Sequence, residues 1–362
     1  MQPSSASTIS AADRRHNRRV ILILVGMLML GLASIVWALT WDIDAPDTTD
    51  LETPPALNMA GEDFFQLIAQ IERLVSSDDI KPAGDIYNDA QFEKKWNQAA
   101  VDRLLNSDAA TKIWPLIPQI LDAGRGRSNW GNLPKHNILN VINLALLMSV
   151  RTLNMARQGN PDQALSGALE ICALGKRVSE AGVGLGDLLG AKSIQMMGIA
   201  CIRTSLENCS FSEEAMRHAI NEINRQRITA HAVAELLKGE FTMASPLIRK
   251  KSYFNRISAY GIKPIPIISK ITFKPNLTCE AYAAYIRDAE ALLSGENIIK
   301  NVSTLTMQTT TRLSPTGYKR YINQEGYHVI KTVIQGIGGA LCRWAEVESQ
   351  LSGLEAFFAL RL

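Results

Sequence analysis

Residues 20–39 read VILILVGMLMLGLASIVWAL, twenty positions without a charge. At a helical rise of about 1.5 Å per residue, such a run covers roughly 30 Å, the thickness of a bilayer's hydrocarbon core. No other uninterrupted apolar stretch in the chain reaches that length. Arg14, Arg15, Arg18 and Arg19 precede it, and Trp37 and Trp41 close it. Basic flanks stay cytoplasmic and indole rings prefer the membrane interface. The pattern predicts a basic cytoplasmic arm over residues 1–19, one transmembrane anchor over 20–41, and everything beyond on the far side. A cleaved signal peptide competes, but it calls for a shorter core and a small-residue cleavage site, and Val36-Trp37-Ala38 is a poor one. A buried core helix has no use for arginines at one end and tryptophans at the other. Gly26 and Gly31 stand five apart, so the run holds no G-x-x-x-G pairing face.

Charge supports this division. The first nineteen residues hold four Arg and one Asp, a net of +3, which is also the net charge of the whole chain. The remaining 343 residues therefore balance, with 34 basic against 34 acidic side chains. A balanced body offers no electrostatic footprint for nucleic acid. A hydrophobic fraction of 46% and only five cysteines exclude a disordered chain and a disulfide-stapled miniature fold.

Residues 42–60 are acidic, contain proline and lack periodicity, and read as an extended linker off the membrane. From residue 61 apolar positions recur at three and four residues, the mark of amphipathic helices. The expected helices cover about 62–76, 89–105, 108–124 with bends at Pro115 and Pro118, 137–158, 161–181, 187–208, 212–226, 229–255 with a bend or break at Pro246, 278–293 and 327–361. Ser107 or Asp108, Asn137 and Ser212 are placed as caps, and Pro161 as a first helical residue. Residues 124–136, 256–277 and the Thr-rich 301–326 read as irregular. The β-branched run at 265–271 is broken by proline, so no strand is expected. The fold class is all-α: a single N-terminal transmembrane helix, then an antiparallel multi-helix ectodomain over 61–362.

Ala156, Gly159, Ala164 and Ala168 resemble the junction of a tetratricopeptide helix pair, where small residues allow close approach. No second copy follows at 34 residues, and a generic helix hairpin explains the segment equally well. The anchor, the G-N-P-D-Q-A-L hairpin at 159–165, F-K-P-N-L-T at 273–278 and the C-terminal G-L-E-A-F-F-A-L-R-L together resemble a group of uncharacterised bacterial membrane-anchored helical proteins. That resemblance implies a bacterial inner membrane and a periplasmic body, and no activity, cofactor or site.

Cys172, Cys201, Cys209, Cys279 and Cys342 contain no C-x-x-C pair. Cys201 and Cys209 lie about 12 Å apart along one helix and cannot bond there. Cys172 and Cys201 fall on neighbouring antiparallel helices, where a bridge is sterically open. The competing reading makes all five small buried apolar residues. Glu214, His218 and Glu222 share one helix face, and His231 with Glu235 share the next. Facing carboxylate and imidazole ligands are how bundles hold metals, although the usual spacing is Glu-x-x-His. A solvated face with pairs such as Glu222–Arg225 is the plainer alternative. His136 stands before a helix, and His328 sits in a tyrosine-rich stretch with Tyr318, Tyr321 and Tyr327. The glycines at 182, 184 and 186 follow a helix, so they read as a connection and not as a phosphate loop. No hydrolase, zincin, P-loop or dinucleotide motif occurs.

These features order the functions. Foremost stands a membrane-anchored extracytoplasmic helical scaffold or protein-interaction module, with membrane lipid and a protein as partners, no nucleic acid, and no catalytic, cofactor-binding or metal residue assigned. A lipid- or small-ligand-binding module at the membrane surface is the alternative. It rests on residues 248–273, where Arg249, Lys250, Lys251, Arg256, Lys263 and Lys270 mix with aromatics and isoleucines. An enzyme whose site assembles only in three dimensions is the third reading.

Overall fold

The computed structural model describes residues 11–51, 64–93, 95–123, 138–182, 184–249, 273–293, 297–313 and 323–362. Within them the chain is all-α, with no strand. Helix α1 spans Ala11–Thr40. Six short helices follow: α2 Phe64–Leu74, α3 Ser77–Ile80, α4 Pro82–Asn88, α5 Gln98–Leu105, α6 Asp108–Ile113 and α7 Ile117–Asp122. Long helices then build the body: α8 Ile138–Arg157, α9 Pro161–Ala181, α10 Leu185–Asn208, α11 Glu213–Gln226 and α12 Ala230–Arg249. Helices α13 Pro275–Leu293, α14 Ile298–Leu313 and α15 Gln324–Arg361 complete it.

Local chemistry sets the boundaries. Ser107 Oγ accepts the Ala110 amide and Ser212 Oγ the Ala215 amide, each satisfying a donor that a helix start leaves over. Pro161 opens α9, where a missing N–H costs nothing. The expected continuous helix over 89–105 is split, because Asn97 takes the Ala100 amide and begins α5 afresh. Helix α12 runs through Pro246 to Arg249 without a break. The expected loop at 124–136, the Asn137 cap and most of 256–277 lie outside the described residues. The Thr-rich stretch begins as α14, not as irregular chain. Its threonines return their hydroxyls to the preceding turn, Thr304 to the Lys300 carbonyl at 2.8 Å and Thr311 to that of Met307 at 2.9 Å. Val302 and Leu305 face inward and α14 packs on α15.

Helices α8, α9 and α10 pack side by side at the centre, and the short helices α2–α7 cover α8 and part of α9. The α8–α9 turn uses Gly159 at φ +79°, and Ala156, Ala164 and Ala168 are buried. Gly198 lets α10 approach α9 closely: a Cβ there would stand 2.6 Å from Cys172 Sγ and 2.7 Å from the Ala168 carbonyl. Cys172 thus abuts Gly198. All five cysteines are free thiols, so the Cys172–Cys201 bridge does not form. Burial raises the Cys172 and Cys201 thiols to about 12.

The 38-residue α15 runs along this array, touching α13 and α14 first, then α10, then α11. Phe358 near its end meets Phe211 with ring centroids 6.1 Å apart. Burying a large apolar side chain of this kind stabilises by about 1.5–3 kcal/mol. Midway, α15 carries a buried ionic network. Lys192 on α10, fully buried, donates to Glu348 Oε1 at 3.1 Å and to Gln195 Oε1 at 2.9 Å. Glu348 also accepts from the Ile228 amide at 3.3 Å and from Arg227 at 3.4 Å. Arg227 reaches on to Glu355 at 2.8 Å, and Trp344 Nε1 donates to the Ile228 carbonyl at 3.0 Å. Every partner of the lysine is itself held, which is what makes an interior charge tolerable.

Two helices of the chain, Ile138–Arg157 and Leu185–Glu207, are long and apolar enough to cross a membrane, and more than half of each is buried inside the body. The shorter apolar stretch Leu22–Trp37 in α1 is buried nowhere.

Candidate functional site

The junction between α1 and the body is where the sequence features converge. All sixteen residues from Leu22 to Trp37 are exposed, and a Cβ placed on Gly26 or Gly31 would meet nothing within 4 Å. Leucines, isoleucines, valines and methionines therefore point outward all round the helix. An apolar helix of this kind needs an apolar surrounding. At its end Trp37 and Trp41 stack at 5.9 Å, inclined by 31°. Lys274 places its ammonium 5.8 Å from the Trp41 ring centroid, close enough for cation–π attraction.

The chain then turns directly into the body. Asp42 Oδ2 accepts the Asn276 amide at 2.8 Å, and its Oδ1 accepts the Leu277 amide at 3.2 Å and that of Ile43 at 2.9 Å. Asn276 Nδ2 returns a bond to the Ile43 carbonyl at 2.8 Å. Asp42 thus caps α13 from more than 230 residues away, setting a carboxylate at the positive end of the helix dipole. The same corner holds the start of α15. Asn323, in a left-handed backbone conformation, accepts the Lys274 amide at 2.8 Å and donates to Thr278 at 3.1 Å.

Further along α13, Arg287 grips the acidic segment. Its Nε and Nη2 donate to the two oxygens of Asp50 at 2.7 and 2.6 Å, and Nη2 also reaches the Asp47 carbonyl at 2.8 Å. The hydrogen bonds from Arg287 hold the Asp50 carboxyl below its usual range, and Asp50 pushes the Arg287 guanidinium up. The Thr49 amide, then its hydroxyl, lower Asp47 likewise. Leu51 ends the segment fully buried, its carbonyl accepting from Thr242 at 3.3 Å. Residues 42–51 therefore lie docked along α13. Residues 52–60 of the expected linker lie outside the described residues.

The histidine and carboxylate candidates are not gathered. His218 is exposed, and Glu222 accepts from Arg225 at 2.6 Å and Gln226 at 3.2 Å, as ordinary surface pairing would have it. Among the described residues no three His, Cys, Asp or Glu side chains form a metal-holding group. His231 lines a cleft of about 160 Å³ with Lys176, Glu180, Arg227 and Glu235. Its cations are engaged within the protein: Lys176 by the Arg225 carbonyl, Arg227 by Glu348 and Glu355. His328 is exposed and Tyr327 half-buried. His136, Tyr318 and Tyr321 lie outside the described residues. The glycines near 184 form a helix–helix connection, with Asp187 accepting the Gly184 amide at 3.3 Å.

The sequence showed the tryptophans and the acidic run but not what they grip. Asp42, Asp50, Lys274 and Arg287 carry no local motif, and only folding brings them together. Comparison with protein-family models, with curated proteins and with solved structures finds no match to this chain.

Proposed function

We propose that this protein is a membrane-anchored extracytoplasmic helical scaffold or protein-interaction module. One observation carries the reading: the outward display of every side chain from Leu22 to Trp37 on a helix that ends in two tryptophans. Helix α1 is the single span, and α8 and α10 belong to the core of the body. Lys192 and Asp187, buried within α10, suit a protein interior and not lipid. The arginines ahead of the apolar run favour a cytoplasmic N-terminus and a body on the outer face of a bacterial inner membrane, in the periplasm. The successive packing of α8, α9 and α10 supports a repeat-like hairpin array of the kind tetratricopeptide proteins use for partners.

Carbonate extraction of membranes tests the anchor. The full chain stays in the pellet, whereas a chain beginning at Trp41 is released. Protease added to spheroplasts tests the side: the body is cleaved without detergent. A body protected until detergent is added overturns the periplasmic placement.

Contact of the body with lipid headgroups is the second reading. It is favoured by Lys274 beside Trp41, at the end of the apolar helix. Vesicles of anionic lipid separate the two, since headgroup contact gives binding that falls with salt and survives removal of α1.

A further inference from the structure

Where α8 and α9 run together beneath Trp114, the surface holds a recess of about 300 Å³. One wall is the face of α9 carrying Gln163, Ser166, Gly167 and Glu170. The other is Met148, Arg151, Thr152 and Met155 of α8. Those spacings of three and four residues put each set on one helical stripe. Trp114 and Ile117, from the turn into α7, close the end.

Arg151 and Glu170 are exposed at the edge of this recess. The Arg151 guanidinium lies 4.7 Å from the Trp114 ring centroid, and its N–H groups have no acceptor among the described residues. No described residue donates to the Glu170 carboxylate. The two charges stand beyond pairing distance; burial raises the Glu170 carboxyl and Arg151 opposes that shift. Many helical hydroxyls return to the preceding turn, as Ser149 does to Ala145 and Thr332 to His328. Thr152 is 2% exposed, lines the recess and makes no such bond. Its hydroxyl faces Gly167, where a Cβ would come within 2.7 Å. A side chain at position 167 would strike that hydroxyl, so only glycine leaves it in place.

We propose that this recess binds a small zwitterion of free amino-acid size with an apolar side chain. Its carboxylate pairs with the guanidinium of Arg151, its ammonium with Glu170, and the Thr152 hydroxyl completes the carboxylate's hydrogen bonds. Met148, Met155 and Ile117 take the aliphatic group. Arginine presents a planar fork suited to a carboxylate, and the indole beneath fixes that fork in place. Converging polar groups without protein partners, set beside a few apolar side chains, are what orients a small ligand. The proposal does not depend on the membrane reading above, because it concerns the body alone.

Calorimetric titration of the full chain in detergent micelles with L-leucine tests it. Saturable binding is expected, with leucine methyl ester, which lacks the carboxylate, binding at least about tenfold more weakly. Arg151→Gln and Glu170→Gln each weaken L-leucine by about tenfold or more, at unchanged helical content. Thr152→Val separates binding from folding: it weakens the ligand while leaving thermal stability equal or higher, since it removes an unpaired hydroxyl. The absence of saturable binding overturns the proposal. So does an affinity that is the same for the ester, or the same in both charge variants.

Discussion

Lys192 and Glu348, separated by 156 positions, meet at 3.1 Å, the lysine wholly buried and the glutamate partly exposed. Glu348 is shared with Arg227 and the Ile228 amide, whereas among the described residues Lys192 has only Gln195 besides it. The two halves of the pair are therefore unequal. Glu348→Ala strands a buried cation and should cost about 3–5 kcal/mol, whereas Lys192→Met leaves Glu348 with two donors and should be neutral or stabilising. Thermal unfolding of the two variants, followed by circular dichroism, checks the asymmetry. Equal losses would contradict it.

The same lysine predicts a pH dependence. Burial lowers it to about 8, against an ordinary value of 10.5, with Glu348 opposing the shift. Between those values the unfolded chain binds the proton that the folded chain has released. Stability relative to Lys192→Met should therefore rise as pH increases from about 8. The buried thiols act in the opposite sense: their folded values lie above 9, so their contribution is lost as pH rises above 9. The lysine effect is thus read between pH 8 and 9, where the difference between wild type and variant should grow by up to about 1 kcal/mol. A flat difference would contradict it.

Acid should undock the segment that follows α1. The carboxyls of Asp47 and Asp50 are lowered, so their stabilising contribution is present above their ordinary value of 3.8 and is lost as pH falls through the folded values. Hydrogen exchange of residues 47–51 should accelerate below pH 4 once corrected for intrinsic rates, and Arg287→Gln should bring the same loss of protection at neutral pH.

Removing the cross-chain cap should be felt at α13. Asp42→Ala leaves the Asn276 and Leu277 amides without their acceptor, a loss of about 1 kcal/mol by analogy with helix caps. Asp42→Asn should retain most of it. Faster amide exchange confined to the first turn of α13 is the expected signature.

Helix contact at Gly198 leaves no slack. A methyl there strikes both Cys172 Sγ and the Ala168 carbonyl, and the carbonyl cannot swing away. Gly198→Ala should lower stability by about 1–3 kcal/mol. Gly198→Ala combined with Cys172→Ala should recover only part of that loss, because the clash with the backbone remains.

Local chemistry was the legible part of the sequence. The caps at Ser107 and Ser212 and the proline at 161 act within three or four residues, so their helices appear where the pattern put them. Helix α14 was hidden because its threonines look like loop residues until their hydroxyls are seen returning to the preceding turn. The split before α5 was hidden because Asn97 reads as one more polar position in a periodic run. Long-range pairs left no trace: Asp42 with Asn276, Arg287 with Asp50 and Lys192 with Glu348 are ordinary charged residues until packing joins them. The recess was invisible for the same reason, since Arg151, Thr152 and Gly167 share no motif.

The Asp42 clasp has a mechanical consequence. A protein hung from a slack tether swivels independently of its anchor. Here the last turn of the apolar helix passes into the body within two residues, and the body grips it at once. Any tilt or rotation imposed on the rod is transmitted as torque to the origin of α13 and to the root of α15. With α1 in a bilayer, as proposed, the body is set like a flag fixed rigidly to its mast.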